Sequence, residues 1–337
     1  MDQTELTLRR LHNQFLVAAG SADEGVCGLI GLQAQHGAAA LHALAIRSRG
    51  EIDYAAFVKT WSFRGTLHLH RKADLPLVLY HGSETDYGQI ALSKEYAASV
   101  RSGYFREIVL GLLARGDCTR EQLKEAFSSS GMTEQESPVI LHSKGGLLRA
   151  MAEHGEIAYV ADRNLIFTKL ESMERMEQQP ALAELVRRYI SHYGPVSMRD
   201  AQTFFGLPQK LLKAHLEAAL ERFSYQGQTY FAAGSVVPNG VTMPKVLFLA
   251  AFDQMLLGYQ KTQNSILPQE HLKTIYSDNG IIMPTVLVDG KVRAVWRREH
   301  DTIELYPIFT LAARERSEIC KAAEELFSNA ALRWIEA

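Results

Sequence analysis

The sequence has little cysteine, no excess charge of either sign and no long apolar run. Among its 337 residues only Cys27, Cys118 and Cys320 are cysteine. They are odd in number, far apart and form no Cys-x-x-Cys pair, which argues against a disulfide framework and fits a reducing cytoplasm. No apolar run approaches the roughly 18 residues that signal a membrane-spanning helix. The opening MDQTELTLRR lacks a basic stretch followed by an apolar core, so no signal peptide is expected. The formal net charge of −2 speaks against a strongly basic nucleic-acid binder. It leaves a local positive surface open, because net charge does not describe distribution. What is present, 47% hydrophobic and 22% charged residues, is an ordinary soluble composition. The length suits about two or three domains.

Against those absences stands a repeated order of elements. Over residues 103–170 the periodicity predicts a helix at 104–114, stopped by Gly116. Thr119 with Gln122 forms a capping box that opens a second helix. VILHSKGGLLRAMAEHG is predicted as a longer helical stretch, and IAYVADRNLIFTK as two short strands turning at 162–164. Residues 180–233 repeat that order. LAELVRRYISHYG is a helix ending at Gly194, Ser197 with Asp200 caps SMRDAQTFFG, LPQKLLKAHLEAALERF is a third helix, and SYQGQTYFAA is a hairpin turning at Gly227. Helix, helix, helix, hairpin is the order of a winged helix-turn-helix.

The N-terminal segment fits a third copy. Leu8, Leu11 and Phe15 mark one helix face, and Ser21 with Glu24 caps a second helix. AAALHALAIRSR is a third helix stopped by Gly50. TWSFRGTLHLH reads as an alternating strand, with Trp61, Phe63, Leu67 and Leu69 on one face and Ser62, Arg64, Thr66, His68 and His70 on the other. Gly65 interrupts it as a bulge or a close approach. Gln33 and Gln35 then fall in the turn between the second and third helices. Two residues apart on a helix they would point about 200° apart. They can share one site only if LQAQ is not regular helix.

From Lys245 on the pattern changes. KVLFLAAFDQMLLGY begins as a buried strand, PTVLVDGKVRAVWRRE is a hairpin around Asp289-Gly290, DTIELYPIF is another strand, and residues 311–327 close as an amphipathic helix. The expected fold is α+β and mainly helical. Its expected segments are a first winged helix with the QAQ turn (1–100), a second (101–175), a third (176–240) and a C-terminal α+β domain (241–337).

Four stretches carry a resemblance: GLQAQ at 31–35, FRGTLHL at 63–69, FDQMLLGY at 252–259 and PTVLVDGKVRAVWRR at 284–298. In that order and over most of the chain, the sequence resembles the AlkZ-like DNA glycosylases, a family that includes the YcaQ-type proteins. The resemblance implies three tandem winged helices forming a concave DNA-binding surface. It implies removal of N7-alkylated purines, some interstrand crosslinks included, from double-stranded DNA. The family's catalytic motif, glutamine, an apolar residue, then glutamine or aspartate, maps onto Gln33, Ala34 and Gln35, and the second glutamine favours the AlkZ-like branch. His36-Gly37 replaces an acidic or proline-rich continuation, Ala294 an expected glycine, and Lys261 a frequent arginine; these departures bear on substrate range more than on fold.

The chemistry is consistent with uncharged catalytic groups. An N7-alkylated purine is already cationic and leaves readily, so a strong general acid is unnecessary. A glutamine offers one carbonyl acceptor and two N–H donors, enough to orient a water without carrying charge. That is catalysis by positioning. Set against it, paired glutamines in such a turn more often cap a helix or bond backbone groups.

Other candidates are weaker. Arg64, Thr66 and His68 are expected to contact phosphate or sugar, the competing reading being a solvated strand face. His68-x-His70 resembles a metal pair without a third ligand, so neither metal nor cofactor is expected. Lys291, Arg293, Arg297 and Arg298 either touch phosphates or form an exposed charged hairpin. Asp253 reads as a buried structural carboxylate. No lysine nucleophile is evident, so hydrolysis without strand cleavage is expected. The alternative function is a non-catalytic winged-helix regulator, but no dimerising heptad helix is seen and a monomer is expected. A regulator would shift one defined duplex and release no base.

Overall fold

Three hydroxyl side chains open three helices, as the sequence predicts. Ser21 caps Ala22–Gly28, Thr119 caps Arg120–Ser129 and Ser197 caps Met198–Phe205. In each, the hydroxyl accepts from the backbone N–H three residues on, and Glu24, Gln122 or Asp200 returns a side-chain bond to the cap N–H. Two otherwise orphaned donors are thereby satisfied at each helix start. The computed structural model describes residues 2–80, 101–142, 146–234, 237–328 and 330–335. Backbone packing divides the chain into two units, residues 1–52 with 182–337, and residues 53–181. This is a division by packing rather than by motif: the expected segment 1–100 runs across the first boundary, and its residues 81–100 lie outside the described residues.

The first unit begins with helices Gln3–Asn13, Ala22–Gly28 and Gly37–Ala45. It continues, from Leu182 on, with helix Gln178–Tyr193, then Met198–Phe205 and Gln209–Glu217. A three-stranded sheet follows, ordered Val196–Ser197, Gln228–Ala232, Glu221–Tyr225. Its hairpin turns through Gln226 (φ 48°) and Gly227 (φ 75°), the paired left-handed conformation that matches strand twist. The helix expected to run to Phe223 ends at Glu217, because Glu221 already pairs with Ala232 in the sheet.

The unit's C-terminal part is a five-stranded sheet, ordered Val246–Leu249, Thr285–Val288, Lys291–Glu299, Thr302–Pro307, Ala331–Trp334. The Asp289-Gly290 turn is where the sequence places it, with φ of 48° and 75°. Helix Ala313–Leu326 covers one face, where Phe248, Val286, Trp296, Leu305, Ile319 and Phe327 form a core. The last strand, parallel to Thr302–Pro307, was not expected from the sequence.

The second unit contains helices Ser102–Leu113, Arg120–Ser129, Ser137–Ile140 and Gly146–Glu153. The stretch expected as one long helix is therefore two, and its residues 143–145 lie outside the described residues. Gly146 has φ 71°, and a Cβ there would strike the Val139 carbonyl oxygen. Phe105, Val109, Leu123, Phe127, Met151 and Phe167 fill the core. TWSFRGTLHLH is not a single strand. Phe57–Trp61 and Leu67–Arg71 form a hairpin in which Trp61 faces Leu67, and the chain reverses through Arg64 (φ 54°) and Gly65 (φ 63°). The glycine marks a turn, and the register keeps Trp61, Leu67 and Leu69 on one face across it. Among the described residues no helix is long and apolar enough to cross a membrane.

Candidate active site

The glutamine segment starts where helix Ala22–Gly28 is forced to stop. Ile30 has φ 59° and Gly31 φ 93°, and the Gly31 N–H donates to the Val26 carbonyl at 2.8 Å. Glycine accepts this conformation; a β-branched isoleucine does so at a cost on the order of 1–2 kcal/mol. Such a residue persists only where its surroundings over-determine it. Beyond Gly31 the chain is extended. Leu32, Gln33 and Ala34 are buried, whereas Gln35 and His36 are exposed. In an extended chain residues two apart face the same way. The Gln33 side-chain N–H accordingly donates to Gln35 Oε1 at 2.9 Å. The condition set by the sequence, that LQAQ not be helix, is met. The bond uses the Gln33 amide N–H and the Gln35 oxygen, and of the two side chains only that of Gln35 belongs to an exposed residue.

Two contacts hold the segment's ends. Ahead of it, the Tyr193 hydroxyl lies 2.8 Å from the Leu29 carbonyl and 2.9 Å from Gln254 Oε1, so its single proton is shared between them. Two glycines admit this approach: a Cβ on Gly28 would sit 2.8 Å from the His192 ring, and one on Gly258 would strike the Tyr193 ring. After the segment, His36 stacks on Phe252. Phe252 has φ 55° and precedes Asp253, whose carboxylate takes two bonds from Arg47, at 2.7 and 2.9 Å. Asp253 also accepts from the Met255 N–H at 2.9 Å and so caps helix Gln254–Leu257. Both members of the pair are wholly buried, and Arg47 further donates to the carbonyls of Gln14 and Ala43. Asp253 is the structural carboxylate expected from the sequence.

The remaining predicted residues stand elsewhere. Arg64 is exposed on its turn and Thr66 is half-buried. His68 is buried, which overturns the expectation of an open polar face. The hairpin turns both His68 and His70 inward, where the Ser62 hydroxyl lies 3.1 Å from His68 Nδ1 and 2.8 Å from His70 Nε2. Burial holds the His68 imidazole well below its usual range, with the His70 and Arg64 charges adding to it. Burial takes His70 down to about 4 against the opposing pull of Asp74. Both rings are therefore neutral, and His68 offers no positive charge to a phosphate. Arg297 and Arg298 are exposed on strand Lys291–Glu299, Arg297 with its guanidinium 5.3 Å from the centre of the Tyr306 ring. Arg293, by contrast, is tied to Glu315 at 3.1 Å.

A basic groove escaped the sequence reading. Arg199, Lys213 and Arg222 line it together with Gln209 and Thr229, and its acid, Glu217, lies 3.9 Å from Lys213. These residues come from two helices and a hairpin, so no sequence spacing announces them. Among the described residues no group of three or more His, Cys, Asp or Glu is placed to hold a metal ion.

The chain belongs to the AlkZ-like DNA glycosylase family, whose model (DNA glycosylase AlkZ-like) matches residues 26–328. Among individual proteins it is similar to the interstrand DNA cross-link repair glycosylase of Streptomyces sahachiroi, 24% identical over 316 residues that cover 85% of each chain. The solved structure of Streptomyces sahachiroi DNA glycosylase AlkZ shares the fold, with a TM-score of 0.75, 20% identity and full coverage of both chains.

Proposed function

We propose that this chain is a monofunctional glycosylase that hydrolyses the N-glycosidic bond of N7-alkylated purines in double-stranded DNA, interstrand crosslinks included. The carrying observation is the bonded pair Gln33–Gln35, with Gln35 exposed, at the position of the family's catalytic motif. The pair holds a water against C1′ of the lesion. As the C1′–N9 bond breaks, its electrons neutralise the cationic purine; the water oxygen bonds to C1′ and its proton passes to solvent. This chemistry asks for a placed water rather than a cofactor. A pair whose outer member, Gln35, is exposed also tolerates a lesion too bulky to rotate into an enclosed pocket.

Residues 1–100, 101–175 and 176–240 act in this reading as three winged helices, and 241–337 as the C-terminal domain. The recurring capping boxes and hairpins support that division. Arg64, Thr66, Arg297, Arg298 and the groove of Arg199, Lys213 and Arg222 contribute DNA contacts, while His68 supports the turn that carries Arg64. The enzyme acts as a cytoplasmic monomer.

The test is single-turnover release of N7-methylguanine from methylated duplex DNA. Gln33→Ala and Gln35→Ala are expected to lower the rate on the order of a hundredfold, the cost of a misplaced reacting group. Two fully active variants contradict the assignment. Strand nicking without added alkali contradicts monofunctional hydrolysis.

A further inference from the structure

We infer that Tyr193 and residues 252–254 are the positioning element of the amide pair: they fix the backbone that brings Gln33 and Gln35 into register. The inference rests on the proposed role of that pair and adds residues that touch neither the water nor the base.

The segment cannot set its own geometry. It is two residues of strand, Leu32–Gln33, between a helix that ends in two left-handed residues and a helix whose cap, His36, makes no side-chain capping bond. The bond between the amides requires an extended path that turns both side chains to the same side. What selects that path comes from far along the chain. Tyr193 bonds the Leu29 carbonyl, next to the left-handed Ile30, and through the same hydroxyl meets Gln254. Phe252 lies under His36, and Asp253 grips Arg47 beyond the helix that follows. Three consecutive residues thus reach the amide segment's exit, Arg47 beyond the following helix and, through Tyr193, the segment's entry.

The element is itself anchored. Tyr189 donates to the Gly258 carbonyl at 2.7 Å, and Tyr259 donates to the Tyr193 carbonyl at 2.8 Å and accepts from Gln14 at 2.9 Å. Arg10 stacks on the Tyr259 ring at 4.0 Å. The left-handed backbone of Phe252 carries the sense of a placed residue, since a filler side chain would not need it.

The experiment compares Tyr193→Phe, Phe252→Ala and His36→Phe with the wild type in two measurements. Backbone amide exchange over residues 29–37 is expected to speed up in Y193F and F252A and to stay unchanged elsewhere. H36F, which keeps a ring over Phe252, is expected to match the wild type. In single-turnover release of N7-methylguanine, the rate constant of Y193F and F252A should fall on the order of tenfold or more, with reaction amplitude and duplex affinity unchanged. A fold defect would lower the amplitude instead. Y193F removes one oxygen and decides the matter if F252A fails to fold. Unchanged exchange in residues 29–37, or wild-type rate constants in Y193F, overturns the inference. A wild-type protein that releases no alkylated base overturns the proposed function, and exchange still decides the positioning role.

Discussion

The imidazole of His36 lies nearly parallel to the ring of Phe252, with centroids 5.5 Å apart and planes 15° apart. One ring follows the glutamine pair directly in sequence; the other opens the FDQ stretch. The exposed face of His36 is therefore held at the edge of the site by a buried ring beneath it, instead of moving with solvent.

The Arg47–Asp253 pair predicts a large and asymmetric stability effect. Asp253→Ala leaves a buried guanidinium uncompensated and should cost about 3–5 kcal/mol. Asp253→Asn retains acceptance from the Met255 N–H and should cost less. Urea denaturation midpoints check the order; equal midpoints for D253A and wild type would remove the pair from the account.

The histidines of the Ser62 hairpin predict acid sensitivity. His70 is depressed from 6.5 to about 4 by burial, and His68 moves in the same direction. Below the unfolded value the open chain binds protons that the folded one refuses. Stability from His70 is thus complete above about 6.5 and is lost as the pH falls toward about 4, by about 1.4 kcal/mol per pH unit for each proton, and His68 contributes with the same sign. Half-buried His42 and His192 act with the same sign. Denaturation midpoints recorded from neutral pH downward should decline, with a shallower slope in His70→Gln; an unchanged slope in that variant refutes the assignment.

Capping predicts a graded series. Ser197→Ala and Thr119→Ala should each cost about 1 kcal/mol. Asp200→Ala should cost more, because Asp200 also accepts from the Gln260 N–H at 2.8 Å and lies 3.4 Å from buried Arg10. Thermal unfolding of the three variants gives the order directly.

The two candidate DNA surfaces of the first unit are separable by salt. Each arginine or lysine that meets a phosphate contributes about 0.9 to the slope of log affinity against log salt. Charge removal at Arg199, Lys213 and Arg222, and separately at Arg297 and Arg298, should each flatten that slope for undamaged duplex. A set that leaves it unchanged is not part of the binding surface.

Much of this was legible beforehand, and the misses have definite causes. The capping boxes at Ser21, Thr119 and Ser197 and the Asp289-Gly290 turn are local chemistry, written within a few residues. The extended LQAQ followed from asking what lets two amides meet. The Ser62–Thr66 hairpin was missed because alternation carries no mark of a reversal when the turn residues happen to keep its phase. The burial of His68 and His70 was not legible because both faces of the two strands are buried, at 57–60 and 68–70, a pattern that alternation does not announce. Tyr193 and the basic groove were invisible because their partners lie on distant elements, where spacing along the chain has no meaning.

The unit that carries the glutamines is assembled from both sides of an insertion, residues 1–52 and 182–337. During synthesis the amide motif leaves the ribosome long before Tyr193, Phe252 and Asp253 exist. A nascent chain therefore displays Gln33 and Gln35 before the residues that contact the ends of their segment exist. A chain ending before Phe252 would hold every letter of the motif without the ring that packs on His36.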